Sequence, residues 1–385
     1  MFAVPALFLF VLTASQVAPA PVTPTSFQVL AKRAEEAKDT EHLSEAVKLY
    51  SEALRQRPAW SEGWWSLASV LYEQERFAEA KTAFARFAKM SAKPGPAYAF
   101  LALCEYETKE YDQSLRHFQA WSRSGFPGTD ALLDVAGFHW ALLLTREEHF
   151  AQALYLLATK AGKLGNRPGL VEAMGLASLR IAKLPEDYPA QKREQVWLAG
   201  EAAVFAAKRD YLRSNEFVLR LASRYGQEPN VNYFLGTQLG FQRKFPEAEE
   251  KYIKELEISP THVAAMVELA LVQIENYKAV EAGVVAERAV ALEPQNARAH
   301  LAFGKSLLAT GHIAEAAHQL EIAKELAPES PPVRSSLANA YLRLGRVQEA
   351  KRESEAFMAL KDKEEVLVPV QEKLQPTKKK AQTKQ

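Results

Sequence analysis

Cysteine is almost absent from this chain of 385 residues, which has only Cys104. No intramolecular disulfide can therefore form, even in an oxidising compartment. Nor does a cysteine follow the apolar start of the chain, which excludes a bacterial lipoprotein anchor there. Cys104 lies in the apolar segment 98–106, a setting that favours a buried structural thiol over a nucleophile.

An excess of charge of either sign is also lacking. The chain has 48 basic and 47 acidic residues, with a formal net charge of +1. Bulk electrostatics therefore predict neither a nucleic acid nor an anionic membrane as the partner. The one basic block is the C-terminal tail at 376–385, which has four lysines and no acid and is expected to be disordered.

The motifs that most often indicate an enzyme are missing. The sequence contains no phosphate-binding or dinucleotide-binding glycine pattern, no H-E-x-x-H and no G-x-S-x-G. Its eight histidines are scattered, without pairs three or four residues apart. We therefore expect a non-enzymatic protein with no metal and no cofactor. The alternative is a convergent site in the irregular segment 169–195, where Glu172, Arg180, Glu186 and Asp187 are available.

The longest apolar run lies at the start of the chain. Residues 1–20 contain no charged residue and have an apolar core from Phe2 to Leu12, which is typical of an export signal. Cleavage after Ser15 or Ala20 would leave a short linker at 21–26 and a periplasmic or cell-envelope protein. The alternative is an uncleaved inner-membrane anchor. About a dozen apolar residues fall short of the roughly 20 that span a bilayer, so we expect no membrane span in the mature chain.

A period of 34 residues organises the rest of the chain. It is marked by small residues at regular intervals, in one series at 46, 80 and 114 and in another at 214, 248, 282, 316 and 350. The best copy is 297–328, where Gly304 and Ala316 allow two helices to approach closely. Gly311 would end the first helix in a left-handed conformation, and Pro328 would stop the second. One repeat is thus predicted to be a helix hairpin that buries its outer faces by stacking on a neighbour.

The residues His300, Gly304, Leu307, Gly311 and Ala316, with Leu320 and Pro328, resemble the tetratricopeptide repeat pattern. The resemblance implies an all-α fold, a right-handed α-solenoid of antiparallel helix hairpins with about nine or ten repeats. It divides the chain into an N-terminal array at 27–165, an irregular part at 166–228, a C-terminal array at 229–360 and a cap with a tail at 361–385. In the irregular part the sequence predicts an odd number of helices, which would reverse the up-down alternation of the hairpins. We therefore expect an irregular connection or a very short helix near 189–194.

The resemblance also implies a concave groove lined from the first helix of each repeat. Carried over by position, its aromatic and apolar half is Trp65, Tyr72, Tyr106, Phe138 and Leu142, and its basic, amide-bearing half is Asn230, Tyr233, Arg298, Lys305, Asn339 and Arg343. Such a groove suits an extended peptide. The alternative is that the aromatic residues only pack between repeats. A two-carboxylate clamp made by Lys305, Asn339 and Arg343 is disfavoured, because these residues lie in only two repeats.

These observations predict a protein-binding scaffold whose concave surface holds a protein or peptide partner. The alternative is an accessory subunit that positions a separate catalytic partner in an envelope enzyme or secretion complex.

Overall fold

The structure, a computed structural model, describes residues 26–164 and 167–372. The predicted export signal, most of the linker and the basic tail at 376–385 lie outside the described residues. Nineteen α-helices and two one-turn 3-10 helices occur in the described ranges, which contain no strand. None of these helices is long and apolar enough to cross a membrane. The fold is therefore the all-α one that the sequence predicts.

The helices that precede the irregular segment follow one another at short intervals. They are α1 (Ser26–Asp39), α2 (Leu43–Gln56), α3 (Ser61–Glu73), α4 (Phe77–Met90), α5 (Gly95–Glu107), α6 (Tyr111–Arg123), α7 (Asp130–Arg146) and α8 (Phe150–Leu164). The chain divides into two compact units, residues 1–139 and 140–385, with the boundary inside α7.

The remaining helices belong to the second unit. They are α9 (Pro168–Ser178), α10 (Arg193–Ala207), α11 (Tyr211–Tyr225), α12 (Val231–Phe241), α13 (Phe245–Ile258), α14 (Val263–Glu275), α15 (Ala279–Leu292), α16 (Ala297–Thr310), α17 (Ile313–Leu326), α18 (Pro331–Arg343) and α19 (Val347–Glu372).

The hairpin of α16 and α17 shows why the small residues recur. A Cβ atom added at Gly304 would lie 2.6 Å from Cγ of Leu320 and 3.3 Å from the carbonyl oxygen of Ala316. The two helices can therefore approach this closely only because residue 304 has no side-chain carbon. Gly311 ends α16 with φ of 88°, the left-handed conformation that the sequence predicts.

The left-handed turn recurs with the sequence period. Glu41, Glu75 and Lys109 adopt positive φ at intervals of 34 residues in the first unit. The second unit repeats the spacing at positions 209, 243, 277, 311 and 345, of which only the last two are glycine. The turn after each first helix is thus fixed by the hairpin geometry, and most repeats accept the strain of a side chain there.

A side chain near the start of several first helices ties down the preceding turn. Trp64 Nε1 donates to the carbonyl oxygen of Pro58 at 2.9 Å, and His300 Nε2 contacts that of Pro294 at 3.0 Å. Arg334 donates to the carbonyl oxygen of Pro328 in the same way. In each of these three repeats the polar-tipped side chain lies six residues after the proline, which explains why a histidine occupies position 300.

The irregular segment replaces one ordinary helix. Two one-turn 3-10 helices, Pro185–Asp187 and Ala190–Lys192, join α9 to α10, and the second lies where the sequence predicts a very short helix. As a result, α9 crosses α10 directly. An added Cβ atom at Gly175 would lie 2.0 Å from the carbonyl oxygen of Val196, and one at Gly200 would lie 1.9 Å from that of Val171. The two backbones therefore touch through a reciprocal pair of glycines.

Candidate functional site

A cavity of about 790 Å³ opens in the second unit. Residues of α8, α9, α10, α11, α12, α14 and α16 line it, together with residues from the turns between helices. Two of its aromatic side chains are far from buried, Tyr155 at 61% exposure and Phe241 at 66%. Large apolar side chains left open beside a cavity are typical of a binding surface.

The turn after α9 brings Arg180 into this cavity. Arg180 has φ of 52°, and the backbone N–H of Ile181 donates to the carbonyl oxygen of Leu176 in a turn that closes the helix. The Arg180 guanidinium carbon lies 4.7 Å from the centre of the Phe150 ring and 5.6 Å from that of Tyr233. Cation–π attraction to both rings therefore holds the charge between α8 and α12.

Tyr233 is positioned by a network at the start of α12. The Glu255 carboxylate, fully buried, accepts hydrogen bonds from the backbone N–H groups of Asn230 at 2.8 Å and Tyr233 at 3.2 Å. These are donors that a helix start leaves unsatisfied, and a carboxylate is a favourable acceptor for them. Glu255, which belongs to α13, thus fixes the start of α12 and the position of Tyr233.

The ring of His262 packs against that of Tyr233. The two rings stack with centres 5.0 Å apart, and His262 Nε2 lies 2.8 Å from Asn230 Oδ1. The backbone N–H of Ala265 donates to His262 Nδ1, so the ring accepts at one nitrogen and donates at the other. Burial, together with the charge of Arg180, lowers the pKa of His262 to about 4, which keeps the ring neutral at neutral pH.

Arg298 and Glu268 form an ion pair on the cavity wall, with Nη2 and Oε1 2.6 Å apart. Burial raises the pKa of the Tyr233 hydroxyl, and so does the charge of Glu268, while Arg180 and Arg298 act in the opposite direction. The hydroxyl of Tyr233 therefore stays protonated, in the field of two guanidinium groups and one carboxylate.

Gln238 adds a polar group without a partner. Its side chain is 5% exposed and lines the cavity, and Oε1 has no hydrogen-bond partner among the described residues. An acceptor buried in this way lowers the stability of the folded state by about 1 to 3 kcal/mol unless something donates to it. A donor from a bound molecule would remove that cost.

Two of the residues predicted for the groove line this cavity, namely Tyr233 and Arg298. Asn230 does not line the cavity, and its Oδ1 atom lies 2.8 Å from Nε2 of His262. Lys305 is half-buried and Asn339 exposed, and neither lines the cavity. Arg343 is exposed and donates from Nη1 to the carbonyl oxygen of Leu308 at 2.5 Å. Leu142, from the aromatic and apolar half, is 4% exposed and belongs to the core of the second unit.

The aromatic residues predicted in the first unit take part in packing between helices. Trp65 contacts three phenylalanine rings, with centres 5.5, 5.1 and 5.7 Å away at Phe84, Phe87 and Phe100 respectively. Tyr72 contacts Phe100 as well, at 5.3 Å, and burial raises its pKa to about 12.

The other two aromatic residues of this set lie at the end of the first unit. The rings of Tyr106 and His139 meet edge to face at 4.7 Å, and Phe138 contacts His139 at 5.5 Å. All four of the first unit's predicted residues, Trp65, Tyr72, Tyr106 and Phe138, are half-buried. Their contacts favour the packing interpretation over an open aromatic groove, and their part in binding stays a prediction.

Sequence reasoning missed most of the cavity. Arg180, Phe150, Tyr155, Gln238 and Phe241 line it, and none of them was assigned to the groove. Arg180 was singled out only as one of four residues available for catalysis in the irregular segment. In the structure Arg180 lines the cavity, Glu172 lies 3.6 Å from Arg193, and Glu186 and Asp187 are exposed on the connecting turns. Among the described residues, no group of three or more His, Cys, Asp or Glu side chains could hold a metal ion.

Comparison with known proteins identifies repeats at both ends of the chain. The tetratricopeptide repeat family matches residues 32–93, 66–125 and 301–353. No curated protein matches the chain.

Similar solved structures include a fragment of MamA from Desulfovibrio magneticus RS-1, at 18% identity and a TM-score of 0.39 over 44% of this chain and 96% of that one. Another is YrrB, described as a TPR protein with an unusual peptide-binding site, at 17% identity and a TM-score of 0.36 over 44% and 88%. A third is the APC/C hetero-tetramer Cut9-Hcn1, at 14% identity and a TM-score of 0.38 over 87% and 66%. Likeness at these scores says nothing about partners.

Proposed function

The chain contains tetratricopeptide repeats, and from that premise we propose that it is a non-enzymatic protein-binding scaffold that holds an extended segment of a partner in the cavity of its second unit. Stacked helix hairpins form long concave surfaces, which repeat proteins of this architecture use for binding. The repeat architecture supports the scaffold role, and the cavity is the site that we propose for binding.

The observation that carries the proposal is the wall of the cavity. It combines exposed aromatic side chains, Tyr155 and Phe241, with a polar set that includes Arg180, Gln238 and Arg298. Aromatic side chains offer a large apolar contact area with little conformational freedom to lose, and a few fixed polar groups set the register of a bound chain. Because successive helices contribute to the wall, a segment lying across them would touch several repeats at once.

The volume of the cavity is suited to a short peptide segment of a partner. Ligand cavities in proteins typically measure about 300 to 1,000 Å³, and this one has about 790 Å³. A space of that size accommodates a few residues of an extended chain, while the rest of the partner would lie outside.

The test uses a displayed random peptide library and the purified chain. Peptides selected on the wild type should lose most of their affinity for a Tyr155→Ala, Phe241→Ala double variant, because both rings leave the rim of the cavity. Tyr277→Ala is the matched control, since Tyr277 is 96% exposed and does not line the cavity. If the double variant binds the selected peptides as the wild type does, the cavity is not the binding surface.

A further inference from the structure

We propose that the segment bound in the cavity is acidic, and that an internal Asp or Glu side chain pairs with Arg180 while a backbone N–H of the same segment donates to Gln238 Oε1. The inference rests on the proposed function, because it specifies the chemistry of the occupant of that cavity.

Arg180 is the first ground for it. Within the described ranges it has no ion pair, whereas Arg298, on the same wall, is neutralised by Glu268 at 2.6 Å. The Arg180 guanidinium carbon lies over the rings of Phe150 and Tyr233, and a hydrogen bond from Arg180 to the Tyr233 hydroxyl helps to lower the pKa of that hydroxyl. A guanidinium has five N–H donors, so those that the Tyr233 hydroxyl does not use remain available to a planar carboxylate.

The charge on the cavity wall fits a single negative group. Three arginines line it, at 180, 209 and 298, against Glu148 and Glu268. Once the Arg298 and Glu268 pair is set aside, two guanidinium groups face one carboxylate, which leaves an excess of one positive charge. A carboxylate balances that excess, whereas a phosphate would bring close to two negative charges and is usually held by a cluster of arginines.

Gln238 gives the second ground. Its Oε1 atom is buried and unpartnered in the part of the chain that the structure describes, and it lines the same cavity. An acceptor needs a donor, and an extended peptide offers a backbone N–H at each residue. The cavity wall thus offers an acceptor without a donor, at Gln238, and a cation without an ion pair, at Arg180. One segment can satisfy both, with a main-chain N–H for the acceptor and an acidic side chain for the cation.

The position of Arg180 in the cavity wall favours pairing with an internal acidic residue of the bound segment over pairing with its C-terminal carboxylate. Its guanidinium lies between Phe150 of α8 and Tyr233 of α12, and further lining residues come from α14 and α16. A segment that reaches Arg180 thus meets protein on both sides of it, as a continuing chain requires.

The test compares two pools of short synthetic peptides, acetylated and amidated, which are alike except for a central Glu in one and a central Gln in the other. Fluorescence anisotropy should show the wild type binding the Glu pool about tenfold more tightly, the size expected of one charged hydrogen-bonded pair. Arg180→Gln should remove this preference, and Arg180→Lys should retain part of it in a form that weakens with salt.

Arg243→Gln is the matched control. Arg243 also occupies a left-handed turn, with φ of 58°, and lies over an aromatic ring, Phe245, at 5.8 Å, but it does not line the cavity. It should leave the preference for Glu unchanged. Circular dichroism checks that each variant keeps its helix content.

The outcomes separate the two proposals. Binding of both pools to the wild type with equal affinity would overturn the acidic occupant and leave the peptide-binding cavity standing, whereas failure of both pools to bind would count against the cavity as well. A preference for Glu that survives in Arg180→Gln would refute the role of Arg180. A third Gln pool with a free C-terminal carboxylate, if it alone bound tightly, would overturn the internal position.

Discussion

The crossing of α9 and α10 gives the sharpest prediction about stability. A methyl group introduced by Gly175→Ala would place its carbon 2.0 Å from the carbonyl oxygen of Val196, against about 3.4 Å for ordinary contact. Relief requires the helices to separate by more than an ångström, because the obstacle is backbone and cannot rotate aside as a flexible side chain would.

The magnitude follows from two opposing terms. Alanine favours a helix over glycine by about 1 kcal/mol. Overpacking of a tight contact typically costs about 1 to 3 kcal/mol, and a backbone obstacle belongs at the upper end. We therefore expect Gly175→Ala to lower the free energy of unfolding by about 2 kcal/mol. Gly200→Ala meets Val171 in the same way, and the double variant should lose less than the sum because one separation relieves both contacts.

The control is the same substitution where space is open. A Cβ atom at Gly240, within α12, would meet nothing within 4 Å. Gly240→Ala should therefore raise the free energy of unfolding by up to about 1 kcal/mol. Urea denaturation followed by circular dichroism measures both, and amide hydrogen exchange in α9 and α10 locates the effect. If Gly175→Ala and Gly240→Ala changed stability in the same direction, the interpretation of the crossing would be refuted.

Three further predictions concern other parts of the chain. Glu255→Gln should lower the free energy of unfolding by about 1 to 3 kcal/mol in chemical denaturation, because one amide oxygen cannot replace the two that serve the backbone N–H groups of Asn230 and Tyr233. The pKa of His262 is lowered from 6.5 to about 4, so only the unfolded state takes up a proton between these values, and stability should fall by up to about 3 kcal/mol as the pH drops through that window. Thermal melts across the window should show a flatter dependence for His262→Gln, and an unchanged slope would contradict the assignment. Residues 1–20, fused to an alkaline phosphatase that is active only outside the cytoplasm, should give activity in bacteria, and an inactive fusion would refute the export signal.

The site was predictable only in part. Tyr233 and Arg298 were found because they occupy regular places in their repeats, and regular places map onto one face of the solenoid. Arg180 could not be found in that way, since it lies in the segment where the period breaks. Its position depends on the turn after α9 and on the rings of Phe150 and Tyr233, which are distant in sequence. Trp65 and Tyr72 satisfied the pattern equally well, but neighbouring phenylalanines cover them.

The sequence by itself determined the helix hairpins, because the spacing of small residues, the turn at Gly311 and the closing prolines act within about 34 neighbouring residues. It also located the break in the period, where it predicted an irregular connection or a very short helix. Only the tertiary structure decided that α9 and α10 meet through Gly175 and Gly200, and that a cavity opens beside them. The physical reason is distance along the chain. Local patterns fix local backbone conformation, whereas a backbone crossing and an unpaired charge depend on groups from separate helices that are adjacent only after folding.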